Sequence, residues 1–154
     1  RKLNRAGWRF GLAVGKASMS KAFKKLHTTG YSTVFGAVQD AAIAALSLPD
    51  ERLQQLVAVY HQRRKAVLQR LAELHWPVRE VQGTFFLWLA VPAGFSSQRF
   101  AELLLQEAHV LVAPGIGFGK GGEGYIRISL TAGDAPLLQA LDRIAALHLF
   151  DRQT

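Results

Sequence analysis

The sequence predicts an α/β chain in which one long helix leads into a small mixed lobe of strands and helices. Three observations carry that prediction. Apolar residues from Leu53 to Leu74 recur at spacings of three and four, the pattern of an amphipathic helix. Beyond Pro77 the chain changes to short apolar runs and helix-length segments divided by turn residues, the mark of a small α/β or α+β lobe. Finally, Pro114 to Leu130 (PGIGFGKGGEGYIRISL) crowds six glycines into a loop that opens onto an apolar strand with Arg127 at its middle. With 154 residues, 49% of them hydrophobic, the chain can build a core and is either one domain or the tail of a larger protein.

Trp8 to Val14 (WRFGLAV) predicts a short strand after a turn at Ala6–Gly7. Ser18 to Leu26 predicts a helix with a serine available as cap, and His27 to Ser32 a loop. Thr33 to Leu46 (TVFGAVQDAAIAAL) predicts an alanine-rich helix, apolar enough to be buried, and Pro49 ends it. Asp50 and Glu51 then open the long helix with acids in the first turn, as the helix dipole favours. Leu53, Leu56, Val57, Tyr60, Arg64, Val67, Leu68, Leu71 and Leu74 form its stripe. From Glu51 to His75 it would span about 35 Å at the standard rise, and Trp76-Pro77 stops it. Thr84 to Val91 predicts a strand, Ser96 to Glu107 a helix capped by Ser96 or Ser97, Val110 to Ala113 and Tyr125 to Leu130 two more strands, and Ala135 to Leu147 a closing helix. Phe85, Phe86 and Trp88 are expected in the core, where aromatic residues dominate.

Composition excludes several functions. The chain has no cysteine, so disulfides and thiolate metal sites are out, which fits a reducing, cytoplasmic setting. No apolar run reaches the ~18 residues of a membrane span, and no secretory signal is visible. The five histidines have separations that suit no metal motif. No Ser-His-Asp arrangement and no paired carboxylates stand out. The net charge of +8 is concentrated at Lys16–Lys25 and at Arg63, Arg64 and Lys65. That charge admits nucleic acid, but no zinc, zipper or RNA-binding-sheet motif accompanies it, and an acidic segment elsewhere would balance it equally well. Arg1 rather than Met stands first, with a turn almost at once; the expectation is a chain entered in mid-fold.

Arg127 is the leading candidate for chemistry. Strand side chains alternate, so Ile126 and Ile128 share one face and Arg127 takes the other. A cation in so apolar a run needs an anion, and a guanidinium fork fits a carboxylate. That carboxylate belongs either to another part of the protein or to a small substrate. The six glycines allow positive φ and close approach of backbone to a ligand. GIGFGKGG is not a phosphate-binding P-loop, because neither Ser nor Thr follows the Gly-Lys pair. Arg9, beside Trp8, reads on its own as a surface residue next to a buried ring.

Three segments together carry a resemblance. RKLNRAGWRFGLAVG resembles the stretch after the cofactor lysine in class I/II aminotransferases, of the form Lys-x-x-Asn-x-Ala-Gly-Trp-Arg-x-Gly. VFGAVQDAAIAAL and YHQRRKAVLQRL resemble the two helices that follow in that family, and VAPGIGFGKGGEGYIRISL resembles its substrate-carboxylate segment. The last is most similar in form to the branch containing LL-diaminopimelate aminotransferase and broad amino-acid aminotransferases. The resemblance implies the C-terminal part of a fold-type-I enzyme: a remnant of the large domain at residues 1–48, an interdomain helix at 49–76 and a small domain at 77–154. It implies pyridoxal 5′-phosphate as cofactor, amino-acid and 2-oxo-acid substrates and a homodimer, without nucleic acid, membrane or metal. It also implies that Arg9 binds the cofactor phosphate and Arg127 the substrate α-carboxylate.

Two departures qualify that implication. Counting back eight residues from Arg9 reaches Arg1, where the family has its lysine, and Lys2 stands one place out of register. Arginine stays charged and cannot serve as that nucleophile. Either the lysine is changed or lost from the sequence, or a shortened turn restores Lys2, or the chain is a non-catalytic relative, an aminotransferase-like ligand-binding domain of a regulator. In addition, the family's residues around the cofactor ring come before the lysine, and this chain contains none of that stretch. By itself the chain is expected to be inactive.

Overall fold

The computed structural model describes residues 10–30, 33–78, 81 and 83–150. The chain forms two compact units, Arg1–Val57 and Ala58–Thr154.

The described part of the first unit is helical. It holds α1 (Ala17–Gly30), α2 (Gly36–Leu46) and the opening turns of α3 (Asp50–Glu73). The strand expected at Trp8–Val14 is not formed over residues 10–14, and its first two residues lie outside the described ones. A strand is held by its ladder, and the described residues of this unit offer no second strand. Helix α1 runs through His27 to Gly30, where the sequence predicts a loop. Within it the hydroxyls of Thr28 and Thr29 donate to the carbonyls of Lys24 and Lys25 at 2.7 and 3.0 Å, so these polar side chains are satisfied inside the helix. Helix α2 ends at Leu46 as predicted but starts at Gly36 rather than Thr33, and it is not buried: Ala45 is its one buried residue and Ile43 is 63% exposed. Alanine secures the helix by propensity alone, and no described layer of this unit covers its apolar side.

The second unit contains the rest of α3, the strands β1 (Phe86–Ala90), β2 (Ala113–Pro114) and β3 (Tyr125–Ser129), and the helices α4 (Ser97–Ala108) and α5 (Asp134–Ala145). The predicted stripe on α3 holds except at Val57, which is 44% exposed: Leu53, Leu56, Tyr60, Arg64, Leu68 and Leu74 are half-buried, and Val67 and Leu71 fully buried. The helix stops before Trp76-Pro77 because its end is wrapped. His75 adopts φ 55° and donates to Ala72, and the Trp76 N–H reaches back to the Leu71 carbonyl at 2.9 Å, a Schellman arrangement with histidine in the glycine position. Trp76 then anchors the unit, donating from its indole to the Ala90 carbonyl at 2.7 Å and packing on Phe100 and Phe150.

The sheet is antiparallel with β3 in the centre, in the order β1-β3-β2. Leu87 faces Ile128 and Leu89 faces Ile126, so these pairs share the core side with Phe100, Leu104 and Leu141. Trp88 faces Arg127 on the other side. This corrects the expectation that Phe86 and Trp88 are core, since Phe86 is half-buried on the outer side and Trp88 is 37% exposed, whereas Phe85 is half-buried and packs against the core as expected. In a run as apolar as TFFLWLAV both faces read alike, and alternation about Leu87 and Leu89 sends Trp88 outward. The strand predicted at Val110–Ala113 shrinks to Ala113–Pro114, where the partner positions Arg127 and Ile126 lie. Ser96 caps α4 as expected, its hydroxyl accepting from the Arg99 N–H at 3.2 Å.

Candidate functional site

The glycine-rich segment folds into two 3-10 turns, Gly115–Phe118 and Lys120–Gly122, that deliver the chain into β3. Its glycines serve separate ends. Gly119 and Gly124 take φ of 111° and 81°. Gly115 and Gly122 are required by space, because backbone meets backbone there. A Cβ on Gly115 would overlap the Gly122 carbonyl oxygen and come within 2.6 Å of the Tyr125 oxygen, and one on Gly122 would strike Gly115 in return. Gly117 and Gly121 have neither constraint. The expectation that all six glycines free the backbone therefore holds at Gly119 and Gly124.

A carboxylate fastens this loop to α4. Glu123 accepts from the Ser97 N–H at 2.7 Å and from the Ser97 hydroxyl at 2.9 Å. The same hydroxyl accepts from the Ile116 N–H at 3.3 Å. Ser97 is fully buried. The N–H of Ser97, then its hydroxyl and then the N–H of Gly124 hold the Glu123 carboxyl below the usual glutamate range, against a smaller opposing effect of burial. Sequence reasoning missed this link. Its available signal was a lone acid among glycines, paired with a serine free beside the capping one.

Arg127 lies half-buried on the outer side of β3. Its guanidinium carbon stands over the Phe86 ring at 4.1 Å from the centroid and over the Phe118 ring at 4.2 Å. Phe86 comes from β1 on one side of β3, and Phe118 from the turn that follows β2 on the other. Trp88 meets Phe118 edge-on at 5.4 Å. Among the described residues no carboxylate pairs with Arg127. Several acids of this unit serve other cations: Asp134 pairs with Arg63 at 2.6 Å, and Asp142 and Glu73 with Arg70 at 2.8 and 3.0 Å, while Glu123 is taken up by Ser97. Of the two partners the sequence leaves open for Arg127, an acid of the protein is not found among the described residues. A cation held between two ring faces keeps its in-plane N–H groups for an anion from outside.

The other predicted positions, Arg1, Lys2 and Arg9, lie outside the described residues. No group of three or more His, Asp or Glu among the described residues could hold a metal ion, and no described helix is long and apolar enough to cross a membrane.

The model of the family "Aminotransferase class I and II" matches residues 2–144. The chain belongs to that family. Among similar curated members, the LL-diaminopimelate aminotransferase of Aquifex aeolicus is 42% identical over 95% of this chain. The L-glutamine–4-(methylsulfanyl)-2-oxobutanoate aminotransferase of Bacillus subtilis is 40% identical over 98% of it. A solved aminotransferase structure from Staphylococcus aureus superimposes with a TM-score of 0.89 at 40% identity, covering 96% of this chain and 40% of that one. This class I/II chain spans 38% of the length of each of the two curated relatives. The branch read from PGIGFG and GEGYIRISL is the one named in the Aquifex relative.

Proposed function

We propose that this chain is the C-terminal portion of a pyridoxal 5′-phosphate-dependent aminotransferase that moves an amino group from an amino acid to a 2-oxo acid, with LL-diaminopimelate or a broader set of amino acids as donor. The observation that carries the reading is Arg127: a half-buried guanidinium on the outer face of the sheet, between two rings and with no acid partner among the described residues. The segment around it is the one through which the sequence resembles the family's carboxylate-binding strand.

On this reading Arg127 donates two parallel N–H bonds to the substrate α-carboxylate and fixes the orientation of Cα. The rings of Phe86 and Phe118 keep water from the guanidinium faces, which strengthens its attraction for the anion. Arg9 would hold the cofactor phosphate; the family's lysine position falls on Arg1, which cannot serve as the nucleophile, and Lys2 stands one place out of register. The cofactor supplies an electron sink for the bond changes at Cα. Residues 1–48 are the end of the large domain, 49–76 the interdomain helix and 77–154 the small domain. The exposed Phe23, Phe35 and Ile43 are apolar surface for the remainder of the large domain to cover. The enzyme is a cytoplasmic homodimer that uses neither nucleic acid nor membrane as partner.

The test is visible-range absorbance of the purified full-length protein. A bound-cofactor band that shifts on adding an amino acid and returns on adding a 2-oxo acid is the expected result. A protein with no such band, or with a band that no amino acid moves, is not an aminotransferase and fits the ligand-binding domain of a regulator instead.

A further inference from the structure

We infer that Phe86 and Phe118 are positioning residues for the carboxylate site. Their rings hold the Arg127 guanidinium flat and present its N–H edge to the incoming anion. The inference rests on the assignment of Arg127 to the substrate carboxylate.

Three observations support it. The first is the contrast among the arginines of this unit. Arg63 and Arg70 are held by carboxylates, Arg63 also by the Leu130 carbonyl, and Arg64 and Arg143 donate to the carbonyls of Val81 and Ala108, so each of these spends N–H groups inside the protein. Arg127 is held by ring faces alone, at nearly equal distances of 4.1 and 4.2 Å. A ring face attracts the cation without consuming a single N–H donor, so the side chain is oriented and its hydrogen-bonding capacity stays whole. A carboxylate clamp would orient it equally well and block the site.

The second is the setting of Phe118. It is 50% exposed on a turn between Gly117 and Gly119, where an aromatic residue fills no core. Its described contacts are the Arg127 cation and the edge of Trp88. Trp88 occupies the position opposite Arg127 in the β1–β3 register and backs the Phe118 ring.

The third is the loop architecture. Ser97 and Glu123 pin both limbs of the turn that carries Phe118, through Ile116 on one side and Glu123 itself on the other. The ring is thereby mounted on a fixed support rather than on a free loop. An arginine restrained before binding loses less rotamer freedom when the carboxylate arrives.

The experiment uses the full-length holoenzyme and two probes: L-methionine, and 3-(methylsulfanyl)propylamine, the same amine without its carboxyl group. Affinities are read from the amine-dependent change in visible absorbance for the wild type, Arg127→Ala, Phe118→Leu, Phe118→Tyr and the double variant Arg127→Ala/Phe118→Leu. Phe118→Leu keeps apolar bulk without a π face. It should weaken L-methionine roughly 3- to 30-fold, the range of one cation–π contact, and leave the amine within about twofold. Phe118→Tyr should restore affinity, and Phe118→Leu should add no loss once Arg127 is alanine. If Arg127→Ala weakens L-methionine while Phe118→Leu matches the wild type, the positioning role is overturned and the carboxylate assignment stands. Equal weakening of both probes, or Phe118→Tyr as poor as Phe118→Leu, also overturns it, since either marks a structural role. A wild type that binds both probes with equal affinity overturns the carboxylate assignment and this inference with it.

Discussion

Replacing Gly115 by alanine tests whether the proposed carboxylate site at Arg127 depends on one backbone crossing. The added Cβ would overlap the Gly122 carbonyl and lie 2.6 Å from the Tyr125 oxygen, about 0.8 Å short of the 3.4 Å at which ordinary contact begins. Both neighbours are backbone, so no rotamer change relieves the clash. The turn must move away from β3 as a piece, and overpacking of this kind costs about 1–3 kcal/mol. The same turn carries Phe118, whose ring sits 4.2 Å from the Arg127 guanidinium carbon. Moving that ring off the guanidinium weakens the cation–ring attraction, so carboxylate affinity should fall alongside stability. Gly117→Ala is the control. It lies two residues away with nothing within 4 Å and no positive φ, so it should be neutral or stabilising by up to ~1 kcal/mol. Thermal unfolding and amino-acid titration of both full-length variants give the comparison. Equal stability and equal affinity for Gly115→Ala and Gly117→Ala would refute the crossing as the reason for the glycine.

The Glu123 carboxyl is held below its ordinary range when folded, so its contribution is present above the unfolded glutamate pKa and is lost as pH falls through the lowered folded value. Glu123→Gln should therefore flatten the acid side of the profile of thermal midpoint against pH, and an unchanged acid limb would remove Glu123 from the fastening. His109 closes α4 at φ 54°, a region that costs a non-glycine residue roughly 1–2 kcal/mol. His109→Gly should raise stability in chemical denaturation by up to about 1 kcal/mol after glycine's extra unfolded-state entropy is counted. A loss would mean that the histidine side chain contributes more than its backbone strain costs.

Much of this was legible in the residues because the relevant signals are local. The three-and-four spacing from Leu53 to Leu74 gave α3, and the alternation Ile126, Arg127, Ile128 placed the arginine away from the core. Helix ends were less legible. His75 and His109 occupy left-handed positions where a reader looks for glycine, and Thr28 and Thr29 continue α1 where polar residues suggest a loop. The partners of Arg127 were hidden for a different reason. Phe86 reaches it across the β1–β3 register, and Phe118 reaches it only after the turn has folded back. The Glu123–Ser97 link spans 26 residues and depends on the seating of α4. Neither pairing leaves a periodic trace in the chain.

The most direct measurement compares Arg127→Lys and Arg127→Ala with the wild-type full-length protein in the steady-state transamination proposed for it. Lysine keeps the charge but loses the two-pronged fork. Both variants should lose kcat/KM, with alanine costing about 2–5 kcal/mol and lysine recovering part of it. Two variants as active as the wild type would mean that the guanidinium between Phe86 and Phe118 receives no carboxylate.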